Sequence, residues 1–250
     1  MSPAVALATA CLLGLAHAIE VDHMIAVTAF VSTRPALRSA AGFGLRWGLG
    51  HSIAVFVAGG ILIATGLHRP NEGAELAEVV GDPWVLDTVK VENHYARDDA
   101  AHVDLGVTSG RRTPVKLDRR FVEAELRIAT GLVEPHFMAG YSGGRKVIAP
   151  GVAHEDTIRT FHSARFMEDP AAIQCNLAGN PLHEEQLEIV RMLGEVYAVN
   201  TVIDEDRDLV HVNFGEVIAS HLAAVAFVAE STRVPVGRRF STIVTSAAGH

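Results

Sequence analysis

Leu126-Arg-Ile-Ala-Thr-Gly131 reads as a strand ending in glycine. It is followed by the loop Glu134-Pro-His-Phe-Met-Ala-Gly-Tyr-Ser-Gly-Gly-Arg-Lys146 and by a helix from about Glu155 to Phe166. Strand, glycine-bearing loop and helix in that order make one α/β unit. The pattern extends outward on both sides. Upstream, Val103-Asp-Leu-Gly-Val107 and Pro114-Val-Lys-Leu117 read as short strands. Glu72–Val80 reads as an amphipathic helix with Leu76, Val79 and Val80 at helical spacing. Downstream, Pro181–Leu193 reads as a helix with Leu187, Val190 and Leu193 on one face. Tyr197–Ile203, Leu209–Asn213 and Thr242–Thr245 read as strands, with Val217–Ala229 a helix between the last two. The expected fold is α/β, layered, with a largely parallel sheet.

The 250 residues suffice for one large domain or two modest ones. At 49% hydrophobic and 20% charged the chain lies far from disordered compositions. A mean hydropathy of +0.23 reflects an apolar excess concentrated at the front. Of 21 basic and 29 acidic residues, only Glu20, Asp22, Arg34, Arg38 and Arg46 precede His68. The formal charge of −8 argues against a nucleic-acid partner, which calls for a basic face. Cys11 and Cys175 can build neither a disulfide framework nor a cysteine metal cluster, so a reducing compartment is expected.

The apolar front comprises two runs, Ala4–Ser32 and Leu45–Leu67, joined by a polar hinge with three arginines. Each run is long enough for a membrane-crossing helix of about 20 residues, so membrane association through residues 4–67 is expected. The first run contains His17, Asp22 and His23. Imidazole and carboxylate at membrane depth suggest an ion path, and these ligands suit nickel or cobalt. The H-x4-D-H spacing, with Gly48-Leu-Gly-His51-Ser52, resembles the signature of nickel/cobalt permeases, and the resemblance implies a transport fragment over residues 1–65.

In the remainder, His68, His136, the Ser142-Gly143-Gly144-Arg145-Lys146 loop and His162 are the chemistry-bearing candidates. Paired glycines let main-chain N–H groups approach a ligand, and adjacent cations suit an anion. The loop is not a Walker A motif, and His183-Glu184-Glu185 is not a metalloprotease H-E-x-x-H because position 187 is leucine. The latter reads as an exposed helix start.

Taken in order, Thr65-Gly-Leu-His-Arg-Pro70, Glu134 to Lys146, Pro150-Gly151 and Gly179-Asn-Pro181 resemble the nickel-pincer lactate racemase family over residues 66–250. The resemblance implies a racemase or epimerase of a small 2-hydroxy acid, cytoplasmic and served by cofactor-synthesis proteins. Its cofactor would be a pyridinium-3,5-bisthiocarboxylic acid mononucleotide holding nickel, the nickel-pincer nucleotide. By the same resemblance Lys146 is the covalent tether, His162 the nickel ligand, and His68 and His136 the paired acid/base histidines. Arg69, Arg145, Gly143 and Gly144 are expected to hold cofactor or substrate anions. The family carries further chain on both sides of this stretch, so the domain is expected to be truncated at both ends and weakly active. The alternatives are nickel/cobalt transport through the His17, Asp22, His23 and His51 set, or an inactive fusion.

Overall fold

The computed structural model describes residues 60–233, 235–242 and 244. The permease-like segment, with His17, Asp22, His23 and His51, lies outside the described residues. Where the second apolar run enters them it is a strand rather than a helix: β1 spans Gly60–Ile63. Among the described residues no helix is long and apolar enough to cross a membrane.

Chain contacts divide the molecule into two units. The first comprises Met1–Ile61 and Glu72–Glu92. Its described part holds α1 (Gly73–Val80) and α2 (Pro83–Thr88), neither of which buries a residue. The helix α1 ends at Val80 as read from its apolar spacing and starts one residue later than read, with Glu72 as its N-cap. Asp82 caps α2 by accepting from Trp84 N at 2.8 Å, with Pro83 at the first helical position, a pairing that satisfies an otherwise orphaned amide. Strand β2 (Lys90–Asn93) pairs with β1.

The second unit comprises Leu62–Asn71 and Asn93–His250. Strands β3 (His102–Val107) and β4 (Pro114–Asp118) form an antiparallel pair with a bulge between Asp104 and Val107. A single turn, α3 (Arg119–Val122), leads toward β5 (Ile128–Leu132). Pro135–His136 and Gly140–Tyr141 are β6 and β7, a small hairpin. Then come α4 (Arg145–Ile148), α5 (Glu155–Phe161), α6 (Ala164–Met167) and α7 (Pro181–Leu193). The chain continues through β8 (Tyr197–Ile203), β9 (Leu209–Glu216) and α8 (Val217–Ser231).

The main sheet has the order β5-β8-β9, with β5 parallel to β8 and β8 antiparallel to β9. The expectation of a largely parallel sheet is therefore corrected. The reason is local: Asp204-Glu-Asp-Arg-Asp208 is too short for a parallel crossover, which takes about a dozen residues or more. Asp204 Oδ1 accepts from the amides of Asp206 and Asp208 at 3.0 and 2.9 Å, which fixes a tight turn. Thr242 and Val244 carry no strand, against expectation.

One apolar cluster, including Leu117, Ile148, Phe161, Phe166, Leu182 and Ile189, fills the space among β4, α4 to α7 and the sheet. A smaller one, with Val133, Tyr141, Val202, Ala224 and Val228, lies where α8 covers the sheet. Side chains of β8 alternate inward and outward, so Ala198, Asn200 and Val202 are buried.

The single helix read over Glu155–Phe166 is broken into α5 and α6 at His162-Ser163. His162 Nδ1 lies 2.8 Å from the Ile158 carbonyl and Ser163 Oγ donates to the Thr160 carbonyl at 2.6 Å. Both side chains engage the last carbonyls of α5 in place of a continuing helix. The Pro181–Leu193 reading matches α7 end to end. His183-Glu184-Glu185 is not the exposed helix start read from sequence: only Glu184 is exposed. Glu185 is buried because Thr108 Oγ1 and Thr113 Oγ1 each donate to it at 2.6 Å and Arg111 N at 2.8 Å. It thus holds the turn between β3 and β4.

Candidate active site

Four of the expected residues, His68, His136, Lys146 and His162, line one cavity of about 310 Å³ in the second unit. They come from four separate segments, each fixed by its own hydrogen bonds. His68 sits on an exposed turn in which its amide donates to Thr65 O at 3.0 Å. The turn is pinned at its start, by Thr65 Oγ1 donating to His94 O at 2.7 Å and by Gly66 N donating to Gly151 O at 3.0 Å.

His136 closes the β6 strand, stacked on Phe137 with ring centroids 4.8 Å apart. Its Nδ1 accepts from the amides of Ala139 at 3.2 Å and Met138 at 3.4 Å. The neutral ring therefore carries its proton on Nε2. Burial first, then the charges of Lys146 and Arg145, lower its pKa to about 4, so it is neutral at physiological pH.

Lys146 lies half-buried on the one-turn α4, where desolvation and the Arg145 charge lower its pKa to about 8, opposed by Glu134. Burial disfavours the ammonium, so the amine is far more available as a nucleophile than an ordinary lysine. At His162, Nδ1–H donates to the main-chain carbonyl of Ile158 and leaves Nε2 as a lone-pair donor, the arrangement of a metal-ligating imidazole.

Of the expected anion-holding residues, Arg145 does not face the cavity. Arg145 is 1% exposed and turned inward. It donates from Nη2 to Ala139 O at 2.9 Å and Tyr141 O at 3.3 Å, and from Nη1 to His221 Nε2 at 2.8 Å. Gly143 and Gly144 serve packing. Both have positive φ, and a Cβ at Gly144 would lie 2.6 Å from that of His221. The Gly144 amide is already used, donating to Asn200 Oδ1 at 3.1 Å. Arg69 is exposed on the His68 turn and is not among the cavity-lining residues.

Three residues escaped the sequence reading. Asn200 is buried in β8 and donates from Nδ2 to Ser220 Oγ at 3.1 Å while accepting from Gly144. His221, on α8, backs the Gly144-Arg145 turn. Gln186 lines the cavity on α7, and its buried Oε1 has no hydrogen-bond partner. The signal for Gln186 was present: it occupies an apolar-stripe position, four residues after Leu182 and three before Ile189, where a polar side chain must justify its burial.

Among the described residues no three His, Cys, Asp or Glu side chains are placed to hold a metal ion by themselves. One imidazole and one depressed lysine beside a cavity fit instead a metal whose remaining bonds come from an organic group.

Residues 59–174 match the family model for the lactate racemase N-terminal domain. The chain is 34% identical over 175 residues to the lactate racemase of Lactiplantibacillus plantarum, covering 70% of this chain and 41% of that protein. It is 32% identical over 192 residues to the lactate racemase of Thermoanaerobacterium thermosaccharolyticum, covering 76% and 44%. The chain thus spans less than half the length of the curated relatives it matches. The lactate racemase apoprotein structure from Thermoanaerobacterium thermosaccharolyticum superposes with a TM-score of 0.65 at 32% identity, over 68% of this chain and 40% of that one. A Thermotoga maritima protein, at TM-score 0.59 and 21% identity over 68% of this chain and 45% of its own, shares the fold. The family match begins at residue 59, so the permease resemblance of the preceding segment gains no support from it. In sequence and in fold, residues 59–174 are similar to the lactate racemase N-terminal domain.

Proposed function

We propose that this chain provides the cofactor-bearing half of a 2-hydroxy-acid racemase acting on lactate or a close analogue. The observation that carries the reading is the convergence of His68, His136, Lys146 and His162 on one cavity of about 310 Å³. That volume suits a small ligand or one arm of a larger one.

Lys146 would tether the nickel-pincer nucleotide and His162 would ligate its nickel, with cofactor-synthesis proteins as partners. When bound, this group supplies an electrophilic acceptor for hydride from the substrate α-carbon. Such an acceptor matters because an α-C–H beside a carboxylate is hard to remove as a proton. The chain's own residues do the remaining work. Removing the α-hydrogen as hydride requires the neighbouring hydroxyl to lose its proton. A neutral imidazole takes that proton, and its partner on the opposite face serves the other enantiomer. His136 is held neutral by burial. Its Nε2–H can donate to a substrate oxygen, and it accepts a proton at Nδ1 only by releasing the two long amide contacts. Phe137, Leu182 and Phe161 line the cavity with apolar surface that excludes water from the reacting centre.

The test is racemisation of L-lactate by the full chain after co-expression with cofactor-synthesis proteins, followed by chiral chromatography. Appearance of D-lactate that disappears in Lys146→Ala supports the reading. Conversion of L-lactate that is unchanged by Lys146→Ala, or a folded chain that acquires neither nickel nor a modification at Lys146, contradicts it.

A further inference from the structure

Arg145 reads in the sequence as half of a cationic pair beside a glycine turn, yet its guanidinium points into the core. Among the described residues no carboxylate offsets its charge, and its Nε is buried without a partner. A buried cation satisfied only by carbonyls and a neutral imidazole is costly, and such cost is retained where the placement itself has a use. Its contacts show the use. Two go to the carbonyls of Ala139 and Tyr141, in the second half of the hairpin whose first strand ends at His136. The third goes to His221 of α8, whose Nε2 also lies 3.0 Å from Ser142 O. The backbone of Arg145 opens α4, where Lys146 is the next residue.

We infer that Arg145, backed by His221, is a positioning residue that fastens the His136 hairpin to the Lys146 turn and fixes a buried positive charge beneath both. The inference deepens the proposed function and names a residue acting through Lys146 and His136 rather than on substrate. The fixed charge favours the neutral forms of its neighbours, the forms that attachment at Lys146 and proton acceptance at His136 require. The groups facing Lys146 are Arg145 on its own helix, Glu134 from the loop after β5, and across the cavity His68, His136 and His162. Of these Glu134 alone opposes the effect.

The test uses the cofactor-free full chain, so it does not depend on whether a nucleotide ever attaches to Lys146. The chain's three lysines, Lys90, Lys116 and Lys146, are labelled with trace acetic anhydride between pH 6 and 11 and read by peptide mass spectrometry. In parallel, amide exchange is followed at Ala139–Tyr141. Lys146 should label with a midpoint near pH 8, well below Lys116, whose ammonium is held by Asp156. Arg145→Met should reduce Lys146 labelling at pH 7.5 by about threefold or more, as expected for removing a nearby like charge. Arg145→Lys keeps the charge but cannot reach all three acceptors. It should hold the midpoint near pH 8 while speeding hairpin exchange about tenfold. His221→Gln, which retains an acceptor, should stay within about twofold of the parent in both readouts.

A folded Arg145→Met chain that labels Lys146 like the parent overturns the inference. So does an Arg145→Lys chain with parental hairpin exchange, or one whose midpoint rises as far as that of Arg145→Met. If Arg145→Met does not fold, the Arg145→Lys comparison decides alone.

Discussion

Asn180 Nδ2 donates to the Met138 carbonyl at 3.0 Å while its Oδ1 accepts from Leu182 N and His183 N at 3.0 and 3.3 Å. One fully buried side chain therefore caps α7 and anchors the loop that follows His136. Asn180→Ala removes a cap, costing about 0.5–2 kcal/mol. It also leaves the Met138 carbonyl buried without this donor, at about 1–3 kcal/mol. Urea unfolding should show a total loss of about 2–4 kcal/mol. Asn180→Asp keeps the cap and loses the donor, so it should fall between the two. Equal stability of all three proteins would show that the Met138 contact contributes nothing.

Acid should destabilise the fold at unusually mild pH. His94, His136 and His183 have pKa values lowered to about 4, and His221 to about 3, in each case chiefly by burial. In the unfolded chain each titrates near 6.5. Below that value the unfolded state binds protons that the folded state refuses, so stability is complete above about pH 6.5 and is lost as pH falls toward 4. Each such group contributes a slope of up to about 1.4 kcal/mol per pH unit. Urea midpoints measured at pH 7.5, 6.5, 5.5 and 4.5 should fall steeply below 6.5. A flat profile down to pH 4.5 would mean that these imidazoles are solvated.

How much of this was legible in the sequence depends on which residues are asked. The α7 boundaries were, because Asn180-Pro181 and Gly194 are cap signals that act through local geometry. The four cavity residues were legible as a set through the order of their motifs: His136 lies at a strand end and Lys146 after a glycine turn, whereas His162 lies at a helix end and carried no local signal of its own. The burial of Arg145 was not. Two adjacent cations read as surface, and only the carbonyls of the preceding hairpin, four and six residues back, together with His221, 76 residues later on α8, turn one of them inward. Glu185 escaped for the same reason: the threonines that satisfy it lie more than 70 residues earlier in the chain. The antiparallel β8–β9 turn was readable from its length and was missed by assigning the alternation of strands and helices to the whole domain.

Gln186 offers a trade between stability and function. Its buried Oε1 lacks a partner, and Leu182 and Ile189 flank it on the same helical face. Gln186→Leu removes an unsatisfied polar group for similar volume, so the thermal midpoint should rise, by an amount corresponding to about 1 kcal/mol or more. In the cofactor-loaded chain the same change should raise the KM for lactate, because the cavity loses a polar contact. A lower thermal midpoint would show that the amide is satisfied in solution.

Under the proposed function, loss of His68 or His136 should spare cofactor loading and reduce turnover. His68→Ala and His136→Ala are each expected to lower kcat by about 10²–10⁴-fold, the usual contribution of a positioned acid or base. Nickel content, read by elemental analysis, should match the parent in both and drop in His162→Ala. Nickel lost from His136→Ala with His162 intact would reverse the two assignments.

The role of Lys146 is the centre of the functional reading, and intact-mass spectrometry of the full chain purified after co-expression with cofactor-synthesis proteins tests it most directly. The expected result is one covalent nucleotide-sized mass addition, mapped by peptide fragmentation to Lys146 and absent from Lys146→Ala. An unmodified Lys146 in a folded, nickel-exposed chain, or the same addition on Lys90 or Lys116, would contradict it.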